Sequence, residues 1–306
     1  MKKILILYTW LFFGFPIVAC AQQTPSQAVE ENEPMAPVTI PSLPHQLNFA
    51  GEKVPFEYFD VRENLTREML VTCYMHSRTI QTLLATTRYF PVIESILRRN
   101  GVPEDFKYLC MAESGLNPNV RSTAGAVGLW QFMQNAGTKY GLFISTNNQI
   151  DERYHIEKAT EAACKYIIDA KNKLGSWTLA AAAYNAGLDG VQTRMQQQGI
   201  SNYYDLVLPE ETMKYVFRIL SFKLITPNPS AYGFLIAPAD YYKPLEDYHE
   251  TQVCAASIDW SALAKENGTN YKVLRDLNPW IRDCTYNNTA GRTFTVKIPN
   301  KNFRKK

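Results

Sequence analysis

Histidine is scarce, with four in 306 residues, and the six cysteines stand at no spacing used by zinc ligands, so neither a metal centre nor another cofactor is expected. Net charge is also nearly missing. Thirty-two Lys and Arg against 29 Asp and Glu leave +3, too little for a dedicated nucleic-acid surface, so nucleic acid is not an expected partner. Nothing in that balance repels an acidic polymer. With 46% hydrophobic residues, the chain can bury one substantial core and a smaller second one, which means one or two domains.

The N-terminus carries the first positive signal. Lys2 and Lys3 precede an apolar run from Ile4 to Ala19, whose length and charge suit a secretory signal rather than a membrane span. Ile17-Val18-Ala19-Cys20 reads as a bacterial lipobox with Cys20 as the lipidated residue, while Ala19-Cys20-Ala21 also fits ordinary signal-peptidase cleavage. A lipid on Cys20 would hold the protein on a membrane face and leave the rest in water. An exported, periplasmic protein anchored to the outer membrane is the expectation. Export permits disulfides. Without Cys20, five cysteines remain, so at least one should be free, best placed as a buried residue within a helix.

Residues 21–50 are rich in Pro and polar residues and read as a flexible tether. From Asn64 to Leu174 apolar residues recur at three- and four-residue spacing, as in Leu65, Met69 and Cys73, which predicts helices. Pro91 is expected to open a short helix capped by Gly101, and Pro103, Glu104 and Asp105 to form the first turn of another running to Ser114. Further helices are predicted over 157–173, 177–186 and 211–224. The first domain is therefore mainly α and spans 51–225. Residues 226–248, "TPNPSAYGFLIAPADYYKPLEDY" with four Pro, suggest a linker laid along a surface. Residues 249–300 read as strand, two helices and strand, a small βααβ module of a size that needs help to stay folded. Cys254 and Cys284 flank its elements, which makes them the candidate disulfide pair.

One carboxylate stands out. Phe106, Leu109 and Cys110 precede Glu113 by seven, four and three positions, so all four share one helix face and the carboxyl group points to the apolar side. Burial and the helix C-terminus both disfavour its charged form, and a carboxylic acid still protonated near neutral pH suits general acid catalysis on a glycosidic oxygen. The plainer alternative is an ion pair with Lys107 or Arg121.

The surrounding motifs favour the first option. "AESGLNPNVRSTAGAVGLWQFM", then "LAAAAYNAG", then "LPEETMKYV" resemble the soluble lytic transglycosylase family with its goose-lysozyme-like helical fold, and "GLWQFM" followed by a LysM-like tail looks most like the membrane-bound D type. The similarity covers about residues 90–225 and is weaker from about 55. The resemblance implies Glu113 as sole catalytic acid and base, Ser114 as the neighbour bonded beside it, and Gly128, Leu129, Trp130, Gln131, Phe132 and Met133 as the cleft lining. It also implies Tyr184 with its hydroxyl near the glutamate, Asn185 on an N-acetyl group, and Glu211 and Tyr215 one helical turn apart, with Glu211 orienting others. Glu210 leaves that register open by one residue. From chemistry alone, Gly125 and Gly128 permit a close backbone approach, and Trp130 or Phe132 offers either a flat face for a sugar or simple core packing.

A single acid suffices when the substrate's own 2-acetamido oxygen assists at the anomeric carbon. The resemblance thus implies a lyase acting on peptidoglycan glycan strands and leaving 1,6-anhydromuramoyl ends. A lysozyme-like muramidase and a non-catalytic wall-binding lipoprotein are the rival readings. The C-terminal unit, with "SIDWSALAKENGTNYKVLRDLNPWI" and "FTVKIP", resembles a LysM peptidoglycan-binding module but lacks the usual Gly-Asp turn after its first strand. Glycan binding and packing onto the catalytic domain both remain open for it.

Overall fold

The computed structural model of the chain describes residues 39–305. The expected signal segment, Cys20 and most of the expected tether lie outside the described residues. Ile40–Lys306 form one compact unit.

Ordered structure begins inside the segment expected to be tether. Strands β1 (Asn48–Phe49) and β2 (Glu52–Lys53) form a hairpin because Phe49 is an anchor: it is fully buried and meets Phe106 edge-on at 5.2 Å. Next come the helices α1 (Phe59–Tyr74), α2 (His76–Arg99), α3 (Phe106–Ser114), α4 (Gln134–Lys139), α5 (Ile156–Leu174), α6 (Trp177–Ala186), α7 (Leu188–Gln198) and α8 (Glu210–Ile225). The structure is mainly α, as the apolar spacing predicts. In α5 the buried stripe Ala159, Ala163, Ile167, Ala170 and Leu174 follows that spacing, and Gly175 in a left-handed conformation ends the helix.

The centre of the core is α6. Its run Ala180–Ala183 is fully buried, and such small side chains let α5, α7 and α8 all pack on it. Its N-terminus is held by the Glu52 carboxylate, which accepts from the amides of Trp177 (2.7 Å) and Thr178 (2.9 Å) and from the hydroxyls of Ser176 and Thr178. Burial alone would raise the pKa of Glu52. Those hydrogen bonds outweigh it and leave the carboxyl below its ordinary value. The hairpin thereby fixes the helix that carries Tyr184 and Asn185.

Two helix starts differ from expectation. Pro91 lies inside α2 instead of opening a helix, because Tyr89, Phe90, Ile93, Ile96 and Leu97 on both sides of it are buried in one core and packing outweighs the missing amide donor. The turn at Pro103–Asp105 is tighter than α: Phe106 N and Lys107 N donate to the carbonyls of Pro103 and Glu104, and α3 proper starts at Phe106.

After α8, residues 226–248 run across the surface and are tied to α2, with Tyr242 N donating to Leu84 O (2.8 Å), the Thr87 hydroxyl to Tyr242 O (2.7 Å) and Arg88 Nε to Lys243 O (2.9 Å). The C-terminal module follows: β3 (Tyr248–Val253), β4 (Ser257–Asp259), α9 (Trp260–Glu266), α10 (Tyr271–Leu277), β5 (Thr285–Asn287) and β6 (Phe294–Pro299). Antiparallel β3–β6 and β4–β5 pairs enclose its two helices, so it holds two short strands more than expected.

The expected Cys254–Cys284 disulfide is corrected. Both thiols are free and exposed, because the β4–β5 register sets Cys284 beyond one end of the pair and Cys254 beyond the other. Cys73, Cys110 and Cys164 are free and buried within helices.

Candidate active site

Helix α3 delivers Glu113 from one side and α8 meets it from the other. Phe106, Leu109 and Cys110 are fully buried, which draws the Glu113 face of α3 inward, and Gly115 stops the helix in a left-handed turn one residue beyond Ser114. Ser114 closes that end, since its Oγ donates to Cys110 O (3.1 Å) and accepts from Leu116 N (3.1 Å). Opposite, the buried Tyr215 on α8 donates its hydroxyl to Glu113 Oε1. The Glu113 carboxyl is raised to about 7: burial pushes it up, the Tyr215 hydroxyl and the Arg218 cation pull part of that back, and the Glu211 charge adds to the rise. The group therefore changes charge close to neutral pH, which is what a residue that both gives and takes a proton needs.

Glu211, Tyr215 and Arg218 follow one another at four- and three-residue steps along α8 and share a face. Arg218 joins two carboxylates, with Nη1 at 2.8 Å from Glu211 Oε1 and Nε at 3.3 Å from Glu68 Oε2 on α1. Arg218 and Glu68 are absent from the sequence-based site. The seven-residue step from Glu211 to Arg218 was the available signal for the arginine; nothing local marks Glu68, which comes from 150 residues away.

The loop after α3 is built around positive-φ positions. At Gly128, φ is +77° and a Cβ would stand 2.2 Å from the Arg153 carbonyl oxygen, so only glycine fits. Gln131 takes φ +48° and its Nε2 donates to Gly128 O (2.8 Å), a bond inside the loop. Trp130 is core: it is fully buried and donates Nε1–H to the Thr160 hydroxyl (2.8 Å), so it is no platform for a sugar. Leu129 and Phe132 are also buried, whereas Met133 is exposed. Of the expected cleft lining, the Gln131 and Met133 side chains thus reach the surface, and the others support the loop from beneath.

Tyr184 lies against the loop, 6.1 Å from the Phe132 ring, and its hydroxyl donates to Trp130 O (2.7 Å). It is Tyr215, then, that bonds the glutamate, and Tyr184 holds the loop. Exposed Asn185, at the end of α6, accepts from the Thr212 hydroxyl on α8 (2.7 Å) through Oδ1. Among the described residues, no group of three or more His, Cys, Asp or Glu is gathered that could hold a metal ion.

The site thus sets a carboxyl group that titrates near neutral pH beside a tyrosine on a neighbouring helix and a glycine-built loop. Residues 90–207 match the transglycosylase SLT domain, and residues 249–302 match the soluble lytic transglycosylase C-terminal LysM-like domain. The chain carries both domains. It is similar to the membrane-bound lytic murein transglycosylase D of Escherichia coli strain K12 and to the protein of that name from Escherichia coli O6:H1. In each case 26% of 231 aligned residues are identical, covering 74% of this chain and 49% of the relative. The chain spans about half the length of the curated relatives it matches. Its SLT domain contains α3, the glycine loop and α6, whereas Glu211, Tyr215 and Arg218 fall just beyond the matched range.

Proposed function

We propose that the protein is a peptidoglycan lytic transglycosylase and that Glu113 is its only general acid and base. The observation that carries this reading is the Glu113 carboxyl lifted to about 7 by burial, with the Tyr215 hydroxyl upon it. Protonated Glu113 delivers its proton to the oxygen between N-acetylmuramic acid and N-acetylglucosamine as the bond to C1 breaks. The 2-acetamido oxygen of the muramoyl residue supports C1 from the opposite face. Glu113, now a carboxylate, takes the proton of the C6 hydroxyl, and that oxygen closes on C1 to give a 1,6-anhydro end without water. Tyr215 steadies the carboxylate between the two proton transfers. Glu211 is bound by Arg218, which suits an orienting role and leaves Glu113 alone to do proton chemistry.

Replacing Glu113→Gln keeps the shape and removes the proton. The expected result is loss of anhydro ends, read by mass spectrometry of products from purified peptidoglycan. Undiminished release would remove Glu113 from the mechanism, and reducing ends in place of anhydro ends from the unaltered protein would make it a muramidase.

The same reading places the protein in the cell envelope, exported by residues 1–20 and lipidated on Cys20. No described helix is long and apolar enough to cross a membrane. Incorporation of a labelled fatty acid that disappears in Cys20→Ser is the expected outcome, and unlabelled wild-type protein would refute the anchor.

A further inference from the structure

The core of the C-terminal module is not built from the module alone. Val127, from the glycine loop, and Ile150 and Tyr154, from the segment leading into α5, lie in one buried cluster with Trp260, Leu274, Trp280, Ile281 and Phe294 of the module. The backbones are joined as well: Asp151 N donates to Trp280 O (3.0 Å), Arg282 N donates to Gln149 O (2.9 Å), and Ile150 bridges Ile281. Around this seam three module cations grip the catalytic side. Arg282 stacks on the Tyr154 ring at 3.9 Å, Arg292 on the Phe143 ring at 3.9 Å, and Lys297 pairs with Glu157.

From the seam a chain of bonds leads to the loop. The Asp151 carboxylate accepts from Arg153 Nε (3.0 Å) and Nη2 (2.7 Å), with both side chains buried. The remaining arm of the guanidinium, Nη1, donates to Phe132 O (3.2 Å) and Gly125 O (3.3 Å), and the Arg153 backbone carbonyl closes over Gly128. A loop with positive φ at Gly125, Gly128 and Gln131 has little regular structure to define it, so a buried bidentate fork fixed at its far side is a strong constraint.

We infer that the C-terminal module serves as a buttress that sets the loop 121–133 through Asp151 and Arg153, with Arg153 as a positioning residue for the proposed reaction. The inference rests on the transglycosylase reading for its catalytic consequence alone; the mechanical part stands without it. Packing to native precision supplies what chemistry near Glu113 requires, because misplacement of a contact by about 1 Å costs up to about 100-fold in rate.

The test uses the full chain in two variants. Arg153→Lys keeps the charge and loses the fork. The triple change Arg282→Ala, Arg292→Ala, Lys297→Ala loosens the seam and leaves both cores their apolar residues. In each, amide hydrogen exchange over 121–133 should quicken by about tenfold or more, with α1 and α8 unchanged. In each, kcat on peptidoglycan should fall by about tenfold while KM stays within about threefold. Exchange in the loop that stays at the wild-type rate in the triple variant overturns the inference, as does quickening spread evenly over α1 and α8, which would show general destabilisation. Unchanged kcat in an active enzyme overturns it equally. If the wild-type protein releases no anhydro ends, the transglycosylase reading falls, and exchange still decides whether the module sets the loop.

Discussion

Glu113 keeps its proton into the neutral range because burial of its carboxyl disfavours the charged form, while one phenol partly offsets that cost. The Tyr215 hydroxyl stabilises the charged carboxylate, so removing it in Tyr215→Phe must raise the Glu113 pKa further above about 7. General acid catalysis needs the protonated form, so activity is lost as pH rises through that value. The alkaline limb of the kcat/KM profile should therefore move up by about one pH unit in Tyr215→Phe, with a lower plateau as the base step loses its support. A limb that moves down instead would mean that the tyrosine raises rather than lowers the acid's pKa. Tyr184 provides the contrast: it is partly buried near Glu113, yet its hydroxyl is spent on the Trp130 carbonyl, and its phenylalanine variant should leave the limb in place.

At the scale of elements, the proposed catalytic site is two helices that carry groups and one loop that shapes the floor between them. The loop is the fragile part. Gly128→Ala places a methyl 2.2 Å from the Arg153 carbonyl at φ +77°, a clash with backbone that no rotamer relieves. The expected cost is about 3 kcal/mol or more, measured by urea unfolding, together with loss of activity. An alanine variant of wild-type stability would show that the loop does not lie on Arg153. Much of this was legible in the sequence. The face shared by Phe106, Leu109, Cys110 and Glu113 gave the direction of the carboxyl, and Gly128 announced a close approach, because both depend on local spacing. The role of Trp130 was not legible: an aromatic in a glycine loop can serve a sugar or a core equally well, and only the position of Thr160 on α5 decides it. Pro91 misled for the same reason, since its tolerance inside α2 depends on what packs against both flanks. Arg153 carries no local signal at all, because the carbonyls it bonds lie more than twenty residues back in the chain.

At the scale of the molecule, the C-terminal module and the helical half before it meet through a buried seam, so the described residues form one unit in which the LysM-like fold is an integral wall. The linker 226–248 is pinned to α2 along its course, which suits a connection that need not flex. Sequence reasoning leaves packing of the module onto the catalytic domain open as one of two readings, because two families of pattern and a proline-rich join do not say whether they touch. What the pattern lacks is any mark that Val127 and Trp280 are neighbours.

Two thiols are exposed among the described residues, and they have a consequence of their own. Cys254 and Cys284 cannot reach each other, yet each can meet its counterpart on another molecule, while Cys73, Cys110 and Cys164 are sealed inside. A bivalent monomer does not stop at dimers; it grows end to end. Under air oxidation, non-reducing electrophoresis should show a ladder that collapses with reductant. Changing either cysteine alone to serine should truncate the ladder at its first rung, and a ladder that persists in the double variant would refute the assignment of these two as the linkable sites.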